Sequence, residues 1–204
     1  MKYPDNISAI AALQPDMMGF IFYPKSKRYV GDNFSVNTMQ NIPDTIKKTG
    51  VFVNESNEKI FEKCAKYHLD FVQLHGDETP LQCQMLHENN VPVIKAFQVD
   101  EAFNFDALIP YQNVCNYFLF DTKTEQYGGS GKSFNWQMLG SYSLQIPFLL
   151  SGGIGVENIE EALKFNHPML YGLDANSKLE TEPGMKNPED CKTIIQKIRN
   201  HEYI

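Results

Sequence analysis

Seven short apolar runs, each ending in polar or glycine punctuation, alternate along this chain with segments of helical length. They are Phe20-Ile21-Phe22, Gly50-Val51-Phe52-Val53-Asn54, Phe71-Val72-Gln73-Leu74-His75-Gly76, Val93-Ile94-Lys95-Ala96, Phe118-Leu119-Phe120-Asp121, Phe148-Leu149-Leu150-Ser151-Gly152-Gly153 and Leu170-Tyr171-Gly172-Leu173-Asp174. Apolar runs this short, closed by turn residues, suit strands buried on both faces. The strand–loop–helix unit returns about every 20–30 residues, as expected of parallel strands joined by helical crossovers.

The intervening segments carry helical spacing. Residues 5–13 put Ile7, Ile10, Ala11 and Leu13 near one face after Pro4, and residues 57–68 do the same with Ile60, Phe61, Cys64 and Tyr67. Thr79-Pro80 is an N-cap and first-turn pair, and the helix over 79–89 is expected to turn Leu81, Met85 and Leu86 inward. Helices are also expected over 156–165 and 188–200. Two architectures fit. A doubly wound sheet calls for a Gly-x-Gly-x-x-Gly turn after its first strand, which is absent. A (β/α)8 barrel spreads functional residues over many strand ends, as here, although barrels typically run to about 250 residues. The barrel is the better fit, as a single domain over 1–204.

With 204 residues and 42% hydrophobic content the chain can bury one large core. A formal charge of −7, with no block of Lys or Arg, argues against a nucleic-acid partner. No apolar stretch approaches the roughly 18–20 residues of a membrane span. Cys64, Cys83, Cys115 and Cys191 are scattered, form no C-x-x-C pair, and read as reduced thiols in a cytoplasmic protein. No grouping has metal-ligand spacing, so neither metal nor cofactor is expected.

The strand ends hold the chemistry. Asp121 closes a very apolar run; partial burial there raises a carboxyl pKa and keeps a proton available for donation, against the alternatives of a helix cap or a pair with Lys123. A glycine-rich loop with one lysine comes next, Gly128, Gly129, Gly131 and Lys132 being its key members, and is expected to act as a mobile flap. Ser151-Gly152-Gly153 and Asp174-Ala175-Asn176-Ser177 come after consecutive strands and make a matched pair. Backbone N–H groups there, with the Ser177 hydroxyl, suit a phosphate. Arg28, between Tyr23 and Tyr29, offers a fork to a carboxylate, or is simply a solvated loop residue. His75 ends its strand and is either structural or substrate-facing.

In this order the residues resemble phosphoribosylanthranilate isomerases, (β/α)8 enzymes of tryptophan biosynthesis. The resemblance rests on Gly19-Phe20-Ile21-Phe22-Tyr23-Pro24-Lys25-Ser26 with Arg28, Val72-Gln73-Leu74-His75-Gly76-Asp77-Glu78, Val93-Ile94-Lys95-Ala96, Phe120-Asp121 with Gly128-Gly129-Ser130-Gly131-Lys132, Ser151-Gly152-Gly153-Ile154, and Gly172-Leu173-Asp174 with Pro183-Gly184-Met185-Lys186. It implies Asp121 as general acid, Arg28 and Asp174 as substrate-binding, and Gly152, Gly153, Asn176 and Ser177 as phosphate-binding; His75 joins the substrate-binding candidates from its strand-end position. The substrate implied is a phosphosugar–anthranilate. The family often has a serine pair and glycine where Asn176-Ser177-Lys178 stands. Its first strand ends in Lys-x-Cys-Gly-Met, whose cysteine is the base, whereas Met1-Lys2-Tyr3-Pro4-Asp5 matches the residues immediately after that cysteine and glycine. The expectation is a barrel without its first strand, inactive as it stands and able to form a homodimer through the exposed edges. Indole-3-glycerol-phosphate synthase, with Lys95 as its catalytic lysine, and a non-catalytic phosphosugar-binding barrel are the rival readings.

Overall fold

In the computed structural model, which describes residues 1–122 and 135–201, every one of the seven runs lies in or runs on from a strand of one parallel sheet. The strands are β1 (Met17–Ile21), β2 (Lys47–Phe52), β3 (Phe71–Leu74), β4 (Val93–Val99), β5 (Tyr117–Thr122), β6 (Phe148–Leu150) and β7 (Leu170–Leu173). Their order in the sheet is their order in the chain, each bonded to the next. Strictly sequential parallel order is what right-handed crossovers of one kind produce, and it is the order of a barrel rather than of a doubly wound sheet. Among the described residues β1 and β7 form the two edges.

Helices α1 (Pro4–Ala11), α2 (Val36–Gln40), α3 (Asn57–Tyr67), α4 (Pro80–Glu88), α5 (Ile159–Lys164) and α6 (Pro188–Arg199) supply the other layer. The main core lies between them and the sheet: Phe20, Phe52, Val72, Leu74, Phe118, Phe120, Phe148 and Leu150 meet Ile7, Ile60, Leu86, Ile159 and Ile194. A smaller cluster of Ile94, Ala96, Leu119 and Leu149, flanked by Met17, Phe71 and Tyr117, fills the opposite, inner face. Side chains alternate along a strand. The inner set therefore continues from Phe71 through Gln73 to His75, from Leu119 to Asp121, and from Leu149 to Ser151.

Several expectations need correction. In α4 only Cys83 and Leu86 are buried, while Leu81 and Met85 stand 65% and 46% exposed. Cys83 and Leu86 are three apart and share a face; Leu81 sits two positions from Cys83, about 200° round the helix. Helix α5 starts at Ile159 instead of residue 156, because Asn158 spends its side chain on the preceding turn, accepting from Gly155 N and donating to Gly153 O. The connections after β4 and β5 contain 3-10 turns at Phe105–Tyr111 and Trp136–Ser141. An unexpected antiparallel hairpin, β8 (Glu180–Glu182) with β9 (Met185–Lys186), turns at Gly184, whose φ of 89° suits glycine. The outer edge of β1 is partly engaged as well: Gly19 O accepts from the Met1 nitrogen at 3.0 Å, and Ile21 O from Val30 N at 3.0 Å.

Candidate active site

The inner face of the sheet delivers Asp121 to the carboxyl end of β5, part-buried as expected. Its Oδ1 accepts from Thr122 N at 2.8 Å, and its Oδ2 lies 3.3 Å from His75 Nε2. Lys123 lies outside the described residues, and the observed neighbour is a histidine two strands away. The two atoms are in contact without the alignment of a hydrogen bond. Gln73 Nε2, on the same inner row, reaches His75 Nδ1 at 2.9 Å, which leaves Nε2 to carry the proton toward Asp121. His75, expected to face substrate, is therefore first of all the partner of the expected acid.

Asp174 comes directly after β7 and is enclosed in the same region. Its Oδ2 accepts from Ser151 Oγ at 2.9 Å, and its backbone N–H donates to Leu150 O. Burial raises its pKa above the usual carboxylate range and the nearby Asp121 charge adds to this, while the Ser151 hydrogen bond opposes it. Two carboxylates and one imidazole thus share one pocket end.

Gly152 and Gly153, after β6, have φ values of 95° and 72°. These left-handed conformations are easy for glycine alone, and they place consecutive peptide groups at the mouth of the sheet. Asn176 and Ser177 begin a 3-10 turn after β7. Asn176 presents its side-chain oxygen to Lys186 Nζ, which also donates to Asn176 O at 2.9 Å. Gly128, Gly129, Gly131 and Lys132 lie outside the described residues.

Arg28 is the largest departure from expectation. Its Nε donates to Glu180 Oε1 and Oε2 at 3.1 and 2.8 Å, and its Nη2 pairs with Oε2 at 2.8 Å. Glu180 also receives Lys186 Nζ at 2.9 Å. Burial would raise the Glu180 pKa, but the Arg28 hydrogen bond and the Lys186 charge outweigh it and the net shift is downward. Arg28 is neither a solvated loop residue nor a lone carboxylate fork; it is the first member of a charged chain, Arg28–Glu180–Lys186–Asn176, running to the expected phosphate loop. Sequence reasoning missed Glu180 and the role of Lys186. The usable signal was the Pro183-Gly184 turn, which brings Glu180 and Lys186 opposite each other.

All four thiols stay away from this end. Cys64, Cys83 and Cys191 lie in helices, and Cys115 precedes β5, at the other end of the strand from Asp121. Among the described residues no group of three or more His, Cys, Asp or Glu side chains is placed to hold a metal, and no helix is long and apolar enough to cross a membrane.

Comparison with known proteins bears on the family and the fold. Residues 2–197 match the family model described as N-(5'phosphoribosyl)anthranilate (PRA) isomerase. The chain is 44% identical over 202 residues to the N-(5'-phosphoribosyl)anthranilate isomerase of Parabacteroides distasonis, covering 97% of this chain and 90% of that one. Its structure is similar to that of phosphoribosyl anthranilate isomerase from Thermotoga maritima, with a TM-score of 0.87 at 33% identity over 98% of this chain and 95% of that one. It is also similar, with a TM-score of 0.83 at 29% identity over 98% of this chain and 95% of that one, to a phosphoribosyl anthranilate isomerase in complex with reduced 1-(o-carboxyphenylamino)-1-deoxyribulose 5-phosphate. With a family match over nearly its whole length, the chain belongs to the N-(5'-phosphoribosyl)anthranilate isomerase family.

Proposed function

We propose that this protein rearranges N-(5'-phosphoribosyl)anthranilate to 1-(2-carboxyphenylamino)-1-deoxyribulose 5-phosphate, with Asp121 as the general acid. The observation that carries this reading is the inner-face grouping of Asp121, His75 and Asp174 at one end of the sheet, beside the left-handed Gly152-Gly153 turn. Asp121 donates to the furanose ring oxygen, the ring opens to a Schiff base, and loss of the C2 proton gives an enolamine that tautomerises to the ketone. Only protons move. The backbone N–H groups at Gly152 and Gly153, with Asn176 and Ser177, hold the phosphate. Arg28, held by Glu180, presents its remaining N–H groups to the anthranilate carboxylate.

The second step needs a base, which the resemblance assigns to a cysteine on a strand of its own. Among the described residues the sheet ends at β1 and β7, and Tyr171 on β7 is 58% exposed beside Tyr117 of the inner face. We assign the base to an extended segment beside those edges. The rival synthase reading loses support, since Lys95 lies beneath the sheet with Glu78 3.0 Å away, on the face opposite Asp121.

The test assays substrate consumption by the 204-residue chain beside a form extended at its amino end by a strand ending in Cys-Gly. Turnover in the extended form alone supports both assignments. Comparable turnover in both refutes the cysteine as base, and none in either refutes the isomerase reading.

A further inference from the structure

The mechanism leaves unused the most deeply buried ion pair of the described chain. Lys95 and Glu78 are each 2% exposed, and Lys95 Nζ lies 3.0 Å from Glu78 Oε2. Burying both charges is costly unless their remaining hydrogen-bonding capacity is met, and pairs of this kind often add nothing to stability over apolar residues. Here the capacity is met by one short stretch of backbone. Lys95 Nζ donates to Leu74 O at 3.3 Å, to Gly76 O at 2.8 Å and to Ala96 O at 2.9 Å. Glu78 accepts from Gly76 N at 2.9 and 3.1 Å and from Asn54 N at 2.9 Å. The peptide groups on both sides of His75 are therefore held by the pair, from the face of the sheet opposite its imidazole. Gly76 permits the close approach: a Cβ there would stand 2.9 Å from Asn54 N and 2.8 Å from Asn54 Cγ. Lys95 lies over the Phe97 ring, 5.2 Å from its centroid, which closes the last side.

We propose that the Lys95–Glu78 pair is a positioning device for the acid, clamping the backbone around His75 so that its imidazole stays on the Asp121 carboxylate. The proposal rests on Asp121 being the acid, but it can fail separately. Neither residue touches substrate; both act through His75. The charged groups facing the imidazole are Asp121 from the end of β5 and Asp174 from the end of β7.

The experiment tracks the His75 ring nitrogens by NMR across pH in the full chain, assigned with His75→Gln. The parent should show a single tautomer with the proton on Nε2. Asp121→Asn should move the His75 Nε2 resonance and mix the two tautomers, through loss of the carboxylate 3.3 Å from that nitrogen. Lys95→Met alone strands a buried carboxylate and endangers folding, so Lys95→Met/Glu78→Gln, which removes both charges, is the working variant, with circular dichroism confirming that it is folded. It should move the Nε2 resonance by at least about half as much as Asp121→Asn does and mix the two tautomers. If the folded double variant keeps the parent's Nε2 resonance and tautomer while Asp121→Asn changes them, the clamp is merely structural and the proposal falls. If Asp121→Asn itself leaves His75 unmoved, the contact is not formed in solution and the underlying reading falls with it.

Discussion

Gly152→Ala is the substitution for which the structure predicts the largest effect from a single added carbon. Gly152 has φ at 95°, a conformation that costs an L-residue roughly 1–2 kcal/mol. The added Cβ would also overlap Thr122 Oγ1 and stand 3.0 Å from Thr122 N. Thr122 is a strand residue, its backbone tied to the Asp121 carboxylate, so it cannot move aside as a flexible tip would. Overpacking of this kind adds roughly 1–3 kcal/mol. The total is roughly 2–5 kcal/mol, and a chain of this size loses about 2–4 °C in Tm per kcal/mol, giving a fall of about 4–20 °C. Gly140→Ala is the matched control. A Cβ at Gly140 meets nothing within 4 Å, and no left-handed φ is required, so reduced freedom of the unfolded chain should stabilise by about 0.4–1 kcal/mol. Scanning calorimetry on the two variants compares them directly. A Gly152→Ala Tm within about 2 °C of the parent would refute the claim that the β6 turn is packed rigidly against the strand bearing the acid.

Three further outcomes are expected. In the extended form, Asp121→Asn should lower kcat by about 10²–10⁴-fold with far less change in KM, since an amide cannot protonate the ring oxygen; a rate within threefold of the parent's removes Asp121 from the mechanism. Arg28→Ala should weaken product binding by about 10–150-fold in calorimetry, from loss of a charge-assisted hydrogen bond worth about 1.5–3 kcal/mol; unchanged affinity means Arg28 serves Glu180 alone. Asp174→Asn should raise stability at pH 7. Burial holds the Asp174 carboxyl above its unfolded value of about 4, so the native charge is destabilising above that range and the penalty vanishes below it. Urea midpoints should show the variant's advantage shrinking as pH falls toward 4, and an advantage that grows instead contradicts the assignment.

The strands were legible because most are largely buried and their apolar runs close at glycine or polar residues, a pattern that survives without knowing any partner; β7, with Tyr171 58% exposed, is the least buried. His75 and Asp121 were legible as strand-end groups for the same reason. What they touch was not. The His75–Asp121 contact crosses from β3 to β5, and Arg28 meets Glu180 across 152 positions of chain, separations that no local pattern encodes. Helix faces were partly misread where apolar residues stand on the solvent side, as Leu81 and Met85 do in α4. Lys95 stood out as a lysine inside an apolar run, but its pairing with Glu78 on the outer face of the sheet was not legible.

The β8–β9 hairpin has a kinetic consequence. Neighbouring strands β1 to β7 meet across loops of modest length, so the sheet can grow by successive local steps. The hairpin contacts are of another order: Asn6 Nδ2 donates to Lys186 O and Lys186 N to Asn6 Oδ1, both at 2.8 Å, across 180 positions, and Glu180 takes Arg28 across 152. Their equilibrium cost is small, because each doubling of a closed loop adds only about 0.6 kcal/mol. In time, however, contacts of such separation form after the nearer ones. The Arg28 guanidinium, held by Glu180, should therefore be fixed late in folding and released early in unfolding. Strengthening the hairpin should lengthen the lifetime of the native state while leaving the rate of its formation almost untouched.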